Sequence, residues 1–464
     1  MLYFQRVVKQ RPRLGPGTGR QTTPRTRIHI ILLCMALAGC ATPNPRSLQH
    51  SLEAGDCAAT PLLLADARKT YGGNAELLFL MDAGMVYLQC GNYEQAQKHF
   101  RQAEQLAEAL WTKSLTRHAA SFLASDYLIK YPGEDYERVM IHLMSAIGYL
   151  LSGERDDALV ESWRLDSLLS LYNTKYEKKN VYKEDAFARY LSGILNEDDG
   201  EQDDAFIDYL LSARAYLEYD KAYGTPMPES LLEDLYRMAV VADRIEDAGD
   251  VIKHLPGRRW STRVDSGGEG KIVFILFVGN APEKVEDRIY IPTRRGPVTV
   301  AFPRMVTDPP ACGGGRLVLR SGAAIIESDL ELVEDINRIA VKNLEDRKGR
   351  IIAKTIARAV AKQVVIEGIS NQGDDDMQTT IAALLNLINM AVERAETRSW
   401  RTLPGEIHMT RVFVPPGVYS LGVSRCGKPR QDLNMLRIEA GQTRYVVHDT
   451  RYGLTPPGSL RSRH

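Results

Sequence analysis

The chain has few side chains in the spacings that catalysis or metal binding requires. Its nine histidines are scattered, and none forms an H-E-x-x-H pair or another metal-ligand spacing. The glycine-rich string ACGGGRLVLR leads into a predicted strand and lacks the ending of a phosphate-binding loop, which opens a helix. The string GVSRCG fails the G-x-S-x-G pattern at its last position. We therefore predict no catalytic residue, no cofactor and no metal site, and we expect no enzymatic activity.

One predicted helix carries a row of basic residues suited to an anionic partner. Lys354, Arg358 and Lys362 are spaced four apart in a predicted helix over 350–366, so they would share one face. Such a row can bind an anionic glycan, an anionic lipid or an acidic protein. A solvated helix face is the commoner cause of this pattern and is the alternative. These three residues are candidates for an interaction surface.

A second candidate is the string TRSWRTLP at residues 397–404. It places Trp400 between Arg398 and Arg401, immediately before the last predicted strands. Tryptophan and arginine are enriched among the residues that dominate binding at protein interfaces. A tryptophan that fills the junction between a helix and a sheet is the alternative. Both interpretations stay open at the level of sequence.

Cys40 stands at the end of an apolar run in a pattern that predicts lipidation. The run covers residues 28–38, follows Arg27, and is shorter than the roughly 20 residues that span a bilayer. Basic residues, a short apolar run and small residues at a cleavage site are typical of a secretory signal. Leu-Ala-Gly-Cys resembles the bacterial lipobox, in which the cysteine is acylated and becomes the first mature residue; an ordinary signal peptide is the alternative. Ala41 stands where aspartate would resemble an inner-membrane retention signal, so we expect the outer membrane, facing the periplasm.

Four further cysteines would remain in the mature chain: Cys57, Cys90, Cys312 and Cys426. The periplasm permits disulfides, and four cysteines allow three pairings. Pairing Cys57 with Cys90 and Cys312 with Cys426 would keep each bridge inside one predicted domain. Free buried thiols are the alternative.

The charge of the mature chain argues against nucleic acid as a partner. The whole chain has 59 basic and 59 acidic residues, but seven basic residues and no acidic ones lie before Cys40. A chain that begins at Cys40 is therefore acidic by about seven charges. Nucleic-acid binding requires a basic surface. The remaining 425 residues are enough for two or three domains.

The elements that would position these residues begin with a repetitive helical region. Residues 77–106 contain small and aromatic residues in the order and spacing of a tetratricopeptide repeat. Gly84 and Ala96 would let two antiparallel helices approach closely, and Gly91 would turn the chain between them. Weaker copies of this scheme surround Gly55, Gly153 and Gly200. We predict an irregular tetratricopeptide-like solenoid.

The pattern changes near residue 255. The string KIVFILFVG predicts a buried strand, because it is short, continuously apolar and rich in β-branched residues. Helices are predicted over 329–346, 350–366 and 376–396, and alternating strands follow around Pro-Pro-Gly and Ala-Gly turns. This half is predicted to be α+β, with a small antiparallel sheet or sandwich.

The predicted organisation is multidomain, with the solenoid followed by the α+β domain. Its segments are a lipoprotein signal peptide at 1–39, a linker at 40–47, the helical domain at 48–254, a linker at 255–270, the α+β domain at 271–450 and a disordered tail at 451–464.

Four strings together resemble a family of uncharacterised proteobacterial lipoproteins: YERVMIHLMSAIGYLLSGERDDALVESWRLD, KIVFILFVGNAPEK, IARAVAKQ and ETRSWRTLPGEIHMTRVFVPPGVYSL. The likeness extends over roughly 130–425, most of the mature chain. The family has no established activity, so it supplies no catalytic residue. Its members are encoded near lipoproteins that activate peptidoglycan synthases, so the resemblance implies partners of that kind in the cell envelope.

These observations lead to one expected function and two alternatives. We expect an outer-membrane lipoprotein that acts as a protein-interaction scaffold in the assembly or maintenance of the cell envelope. A module that binds peptidoglycan or another polysaccharide is the first alternative. An enzyme with an unrecognised site is the second.

Overall fold

The structure is a computed structural model of the chain. It describes residue 52 and residues 56–116, 129–175, 185–252, 268–293, 296–308, 312–370 and 394–457. The predicted signal peptide, Cys40 and most of the predicted helix at 376–396 lie outside the described residues. No helix within the described ranges is long and apolar enough to cross a membrane.

The first part of the described chain is helical. Its α-helices are α1 (Thr60–Tyr71), α2 (Glu76–Gln89), α3 (Tyr93–Thr116), α4 (Asp135–Ser152), α5 (Arg155–Lys175), α6 (Ala186–Asp199), α7 (Gln202–Tyr223), α8 (Glu229–Val241) and α9 (Gly249–Ile252). Short 3₁₀ turns at Gly73–Ala75 and Ile245–Ala248 precede α2 and α9.

Consecutive helices pack as pairs: α2 with α3, α4 with α5, and α6 with α7. Each pair is joined by a turn that contains a glycine with positive φ, at Gly91, Gly153 and Gly200. A side chain is disfavoured in this backbone region, which glycine adopts readily. Within the first pair the helices approach closely, because a Cβ atom at Gly84 would lie 2.4 Å from the ring of Phe100.

The second part of the described chain forms three sheets. The strands are β1 (Gly270–Asn280), β2 (Glu283–Thr293), β3 (Gly296–Val306), β4 (Arg316–Ser321), β5 (Ala324–Asp329), β6 (Glu331–Asp335), β7 (Pro404–Val414), β8 (Gly417–Ser424), β9 (Gln431–Ile438) and β10 (Thr443–Asp449). The central sheet has the order β10-β1-β7-β6, the outer sheet has the order β5-β4-β8-β9, and β2 with β3 forms a hairpin. All strand pairs are antiparallel except β1 with β10, which is parallel. The chain is therefore a mixed α+β protein.

The predicted helix at 329–346 begins too early. Residues Glu331–Asp335 form β6 and pair with β7, and one helix, α10, then runs from Ile336 to Ser370. The side chain of Asp335 accepts a hydrogen bond from the backbone N–H of Arg338 at 2.9 Å, which caps the start of α10. Pairing with β7 is a long-range contact, so local periodicity did not indicate it.

The strand β1 is buried on both faces, which explains its continuous apolar sequence. Side chains on one face, such as Phe274 and Leu276, belong to a core shared with the outer sheet. Side chains on the other face, such as Ile275 and Phe277, belong to the core of the helices. The central sheet is therefore a middle layer between the helices and the outer sheet.

The helices and the central sheet share one hydrophobic core. This core contains residues of α2 to α8 together with residues of β1, β6, β7 and β10. The described residues accordingly belong to one compact unit. The predicted linker at 255–270 therefore joins two parts that are packed together, and residues 253–267 lie outside the described ranges.

The first seven residues of the predicted disordered tail are packed against the rest of the protein. Arg451 is paired with the buried carboxylate of Asp449 at 2.6 Å. The carbonyl oxygen of Pro457 accepts a hydrogen bond from the hydroxyl of Tyr93 at 2.5 Å. The structured chain therefore extends past residue 450 to at least Pro457, because contacts with the helices hold this end.

Candidate functional site

The predicted basic row on α10 is not a continuous exposed stripe. Lys354 is exposed, but Arg358 is buried, with 1% of its surface accessible. Thr355 and Ala359 are buried beside Arg358, so this side of α10 faces the protein. The side chain of Lys362 lies outside the described residues. The four-residue spacing of this row places its members near one another on the helix, but it does not tell which side of α10 faces the protein.

The string around Trp400 lies at the junction between helices and sheets. Residues 394–403, which we call the junction segment, have no regular secondary structure. Trp400 is fully buried, and its ring centroid lies 6.3 Å from that of Phe100. Its backbone N–H donates to the carboxylate of Glu137 in α4 at 2.7 Å. Thr402 in turn donates to the carboxylate of Asp82 in α2 at 2.7 Å.

The two arginines of the same string also make contacts within the protein. Arg398 is buried and donates to the backbone carbonyls of Asn74 and Ile129 at 2.7 and 3.0 Å. Arg401 is partly exposed and pairs with Glu283 at 3.2 Å. The geometry therefore agrees with the alternative interpretation of this string, in which Trp400 fills a junction between helices and sheet.

Burial affects the pKa of the carboxylates that hold the junction segment and of Glu134 beside them. Burial raises the pKa of Asp82 to about 6, although hydrogen bonds from Tyr71 and Thr402 oppose the shift. Burial likewise raises the pKa of Glu137. Burial would also raise the pKa of Glu134, but the neighbouring cations Arg347 and Lys284 outweigh it and lower this pKa.

A groove on the other side of the helices is open to solvent. It has a volume of about 460 Å³ and lies between α3 and α5, with α4 beneath them. We call it the outer groove; the residues that define its character are Trp111, Arg138, His142, Trp163 and Tyr172. Trp163 is 57% exposed, and the apolar residues Val160 and Leu171 beside it are also exposed. An open apolar concavity with a few polar groups is the usual form of a binding site.

The polar groups of the outer groove are held by neighbouring side chains. The guanidinium of Arg138 lies 5.8 Å from the ring centroid of Trp111 and 5.2 Å from that of Tyr172. This arrangement is a cation–π contact to two rings. Arg138 also pairs with Asp135, one helical turn away. These contacts fix the aromatic walls of the groove before any ligand binds.

A second polar group lies between α4 and α5. His142 Nδ1 is 2.7 Å from the Glu161 carboxylate, and both residues are buried. Arg164 pairs with Glu161 at 3.1 Å and reaches Glu104 of α3 at 3.5 Å. Arg164 and Glu104 are partly exposed, so the bridge across the groove lies at its rim.

The contact between α5 and the following helices, α6 and α7, is held by ion pairs. Arg189 of α6 pairs with Asp166 of α5 at 2.9 Å and with Asp208 of α7 at 3.0 Å. These two ion pairs join α5, α6 and α7, whereas the ion pair found between the described side chains of α3 and α5 is the long contact of Arg164 with Glu104.

The serine of the outer groove does not make the contact that a catalytic nucleophile needs. The hydroxyl of Ser167 donates to the carbonyl of Trp163 in its own helix. A nucleophile requires a base within hydrogen-bond reach, and this hydroxyl is bonded to its own helix rather than to His142. Across the described ranges, no group of three or more His, Cys, Asp or Glu side chains is arranged to hold a metal ion.

The four described cysteines form two disulfides. Cys57 bonds Cys90, with Cα atoms 5.4 Å apart, and Cys312 bonds Cys426, with Cα atoms 5.5 Å apart. The first bridge connects the residues before α1 to the end of α2. The second connects the approach to β4 with the turn after β8.

The outer groove was not predicted from the sequence, although α5 contains a signal for it. This helix has a core stripe that includes Leu165 and Leu169, which are buried. It has a second apolar stripe at Val160, Trp163 and Leu171, which are exposed. A helix that packs on one side needs only one apolar stripe. The second stripe indicates a surface available to something else.

Comparison with protein-family models, with curated proteins and with solved structures found no match. The interpretation of the outer groove therefore depends on its own geometry.

Proposed function

We propose that this protein is a lipoprotein anchored in the outer membrane through Cys40, facing the periplasm, that acts as a scaffold for other proteins in cell-envelope assembly or maintenance. The observation that carries the proposal is the outer groove, with its fixed aromatic walls and exposed Trp163. Exposed apolar surface of this kind is typical of interaction sites. We propose no catalytic role and no cofactor.

We further propose that the helix pairs from α2 to α7 are a tetratricopeptide-like solenoid. Support comes from the glycine turns at Gly91, Gly153 and Gly200 and from close approaches at Gly84 and Gly193, where an added Cβ would lie 2.4 and 2.5 Å from an aromatic ring. In such repeats the partner usually binds across several helices. Proteins that activate peptidoglycan synthases remain proposed partners, on the resemblance alone.

The groove suits an apolar or aromatic side chain with a neighbouring basic residue. Trp111, Trp163 and Tyr172 supply apolar and aromatic surface. Glu104 and Glu108 of α3 line one wall, and Glu108 is exposed. A partner segment that inserts an apolar anchor would therefore gain from a cation one helical turn away.

A saccharide is the second candidate ligand, because an exposed tryptophan beside carboxylates offers both a stacking surface and hydrogen-bond acceptors. Photo-crosslinking distinguishes the two candidates. The replacement Val160→p-benzoylphenylalanine lies in the groove, and the matched control Ile325→p-benzoylphenylalanine lies on the exposed strand β5. We expect protein adducts in cells from position 160 only, and we expect Trp163→Ala to remove them. Adducts equal at both positions would contradict the scaffold, and retention on purified peptidoglycan that Trp163→Ala abolishes would favour the saccharide.

The anchor has its own test. Cys40→Ser removes the thiol that would be acylated, whereas Cys34→Ser leaves it in place. We expect the first variant alone to lose incorporation of labelled palmitate and to leave the outer-membrane fraction. A Cys40→Ser chain that is still processed and fractionates normally would show that the anchor lies elsewhere.

A further inference from the structure

The far part of α10 presents an apolar line to solvent. Ile356, Val360 and Val364 are 39%, 58% and 61% exposed and are spaced four residues apart. Residues with this spacing lie on one face of a helix. Thr355, Arg358 and Ala359 are buried on the opposite side, so the apolar line faces away from the rest of the protein.

The charge of this part of α10 is one-sided. Residues 347–366 contain six basic residues and no acidic one, and Glu367 follows; the basic residues are Arg347, Lys348, Arg350, Lys354, Arg358 and Lys362. Arg350 and Lys354 are exposed. At about 100° per residue, Arg350 lies about 40° and Lys354 about 80° around the helix from Val364, so both lie on the Val364 side of the apolar line. The exposed surface therefore combines apolar side chains with positive charge along one edge.

We propose that this surface of α10 binds an anionic lipid bilayer, with the helix lying in the plane of the membrane. Ile356, Val360 and Val364 would enter the boundary between headgroups and acyl chains, and Arg350 and Lys354 would contact lipid phosphates. Helices with an apolar face and a basic polar face bind membranes in this orientation. Anionic lipids attract such basic segments.

Two observations favour a bilayer over a protein partner. The apolar line consists of small and β-branched side chains without an aromatic anchor, and it lies on a convex helix surface rather than in a groove. A second copy of this chain would bring the same basic segments together, and like charges repel. A bilayer that contains anionic lipid offers acyl chains to the apolar side chains and phosphates to the basic side chains.

A fluorescent probe on the full chain tests the proposal independently of the lipid anchor. The variant Val364→Cys, labelled with an environment-sensitive dye, reports whether this residue enters a bilayer. The control Ile325→Cys carries the dye on β5, where the replaced residue is 57% exposed. Unsubstituted chain treated with the same dye gives the background. The probes are vesicles of phosphatidylglycerol with phosphatidylethanolamine and vesicles of phosphatidylcholine alone.

We expect a blue shift of the dye at position 364 with the anionic vesicles only, and no shift at position 325. Arg350→Glu combined with Lys354→Glu should reduce the affinity for anionic vesicles about tenfold or more. Lys428→Glu, an exposed change on another surface, should have no effect. The absence of a shift with anionic vesicles would overturn the proposal. So would a shift that appears without vesicles as the protein concentration rises, because the surface would then bind a second copy.

Discussion

The helical part of this protein has two faces that differ in what covers them. The inner face, formed by α2 and α4, is covered by the junction segment and the central sheet. Every residue of α4 from Asp135 to Leu151 is buried. The outer face, formed by α3 and α5, leaves the outer groove open. The same helix pairs therefore bind a segment of their own chain on one side and present a free surface on the other.

The inner face is already occupied by a segment of the same chain. The junction segment is an irregular stretch of chain held by Asp82 and Glu137, as a bound peptide would be. Because this site is occupied from within, we propose the outer groove, rather than the inner face, as the place where a partner protein binds. Buried carboxylates hold the junction segment on the inner face. Aromatic rings and charged side chains at the rim form the surface of the outer groove. Three experiments test this difference.

The largest effect is expected from Ala96→Glu in α3. Ala96 is fully buried in the core that the helices share with the central sheet. An unpaired buried charge costs several kcal/mol, about 3–5 for a broken buried pair. Because the core is shared, we expect the helices and sheets to become sensitive to protease together, whereas exposed Lys98→Glu in the same helix should not have this effect.

Limited proteolysis with mass spectrometry measures this outcome. A resistant fragment that begins within 255–270 and survives in Ala96→Glu would mean that the two halves fold separately. It would also mean that the inner face is a docking contact between domains rather than part of one core.

The second experiment compares the loss of stability when each of two tryptophans is replaced by alanine. Trp400→Ala on the inner face should lower the free energy of unfolding by about 3–5 kcal/mol, because it removes a large buried ring. Trp163→Ala in the outer groove should change it by about 0.5 kcal/mol or less, because this side chain is mostly exposed. Denaturant titration gives both values. Similar losses for the two variants would contradict the assignment of Trp163 to a free surface.

The third and smallest effect concerns pH and Asp82. Because the pKa of Asp82 is about 6 in the folded protein, above the ordinary aspartate value of 3.8, the folded state holds the proton more tightly than the unfolded chain. Stability should therefore fall as the pH rises from about 4 to 6 and then level off, by up to about 3 kcal/mol from this group. Asp82→Asn should remove this part of the pH dependence.

Asp66→Asn is the matched control, because Asp66 is 80% exposed. Unfolding titrations at pH 4 and pH 7 compare the variants. If the stability of Asp82→Asn changes with pH as much as that of the unsubstituted protein, Asp82 is not the group that titrates at the inner face.

Particular residues show how far sequence reasoning reached. The glycine turns and the close approach at Gly84 could be predicted, because each depends on residues close together in the chain. The buried strand at KIVFILFVG could be predicted from its apolar run. The burial of the Arg358 side chain and the position of Trp400 at the junction could not be predicted, because each depends on contacts with distant parts of the chain.

The sequence by itself determined the local elements: which segments turn, which helices have an apolar side, and which strand is apolar on both faces. These properties follow from backbone preferences and from the periods of helices and strands. Only the tertiary structure decided which apolar side is covered. The second stripe of α5 and the exposed line of α10 resemble core stripes in sequence, and they differ from them only because no other described part of the chain packs there. Burial depends on what reaches a surface, and that is set by contacts between residues far apart in the chain.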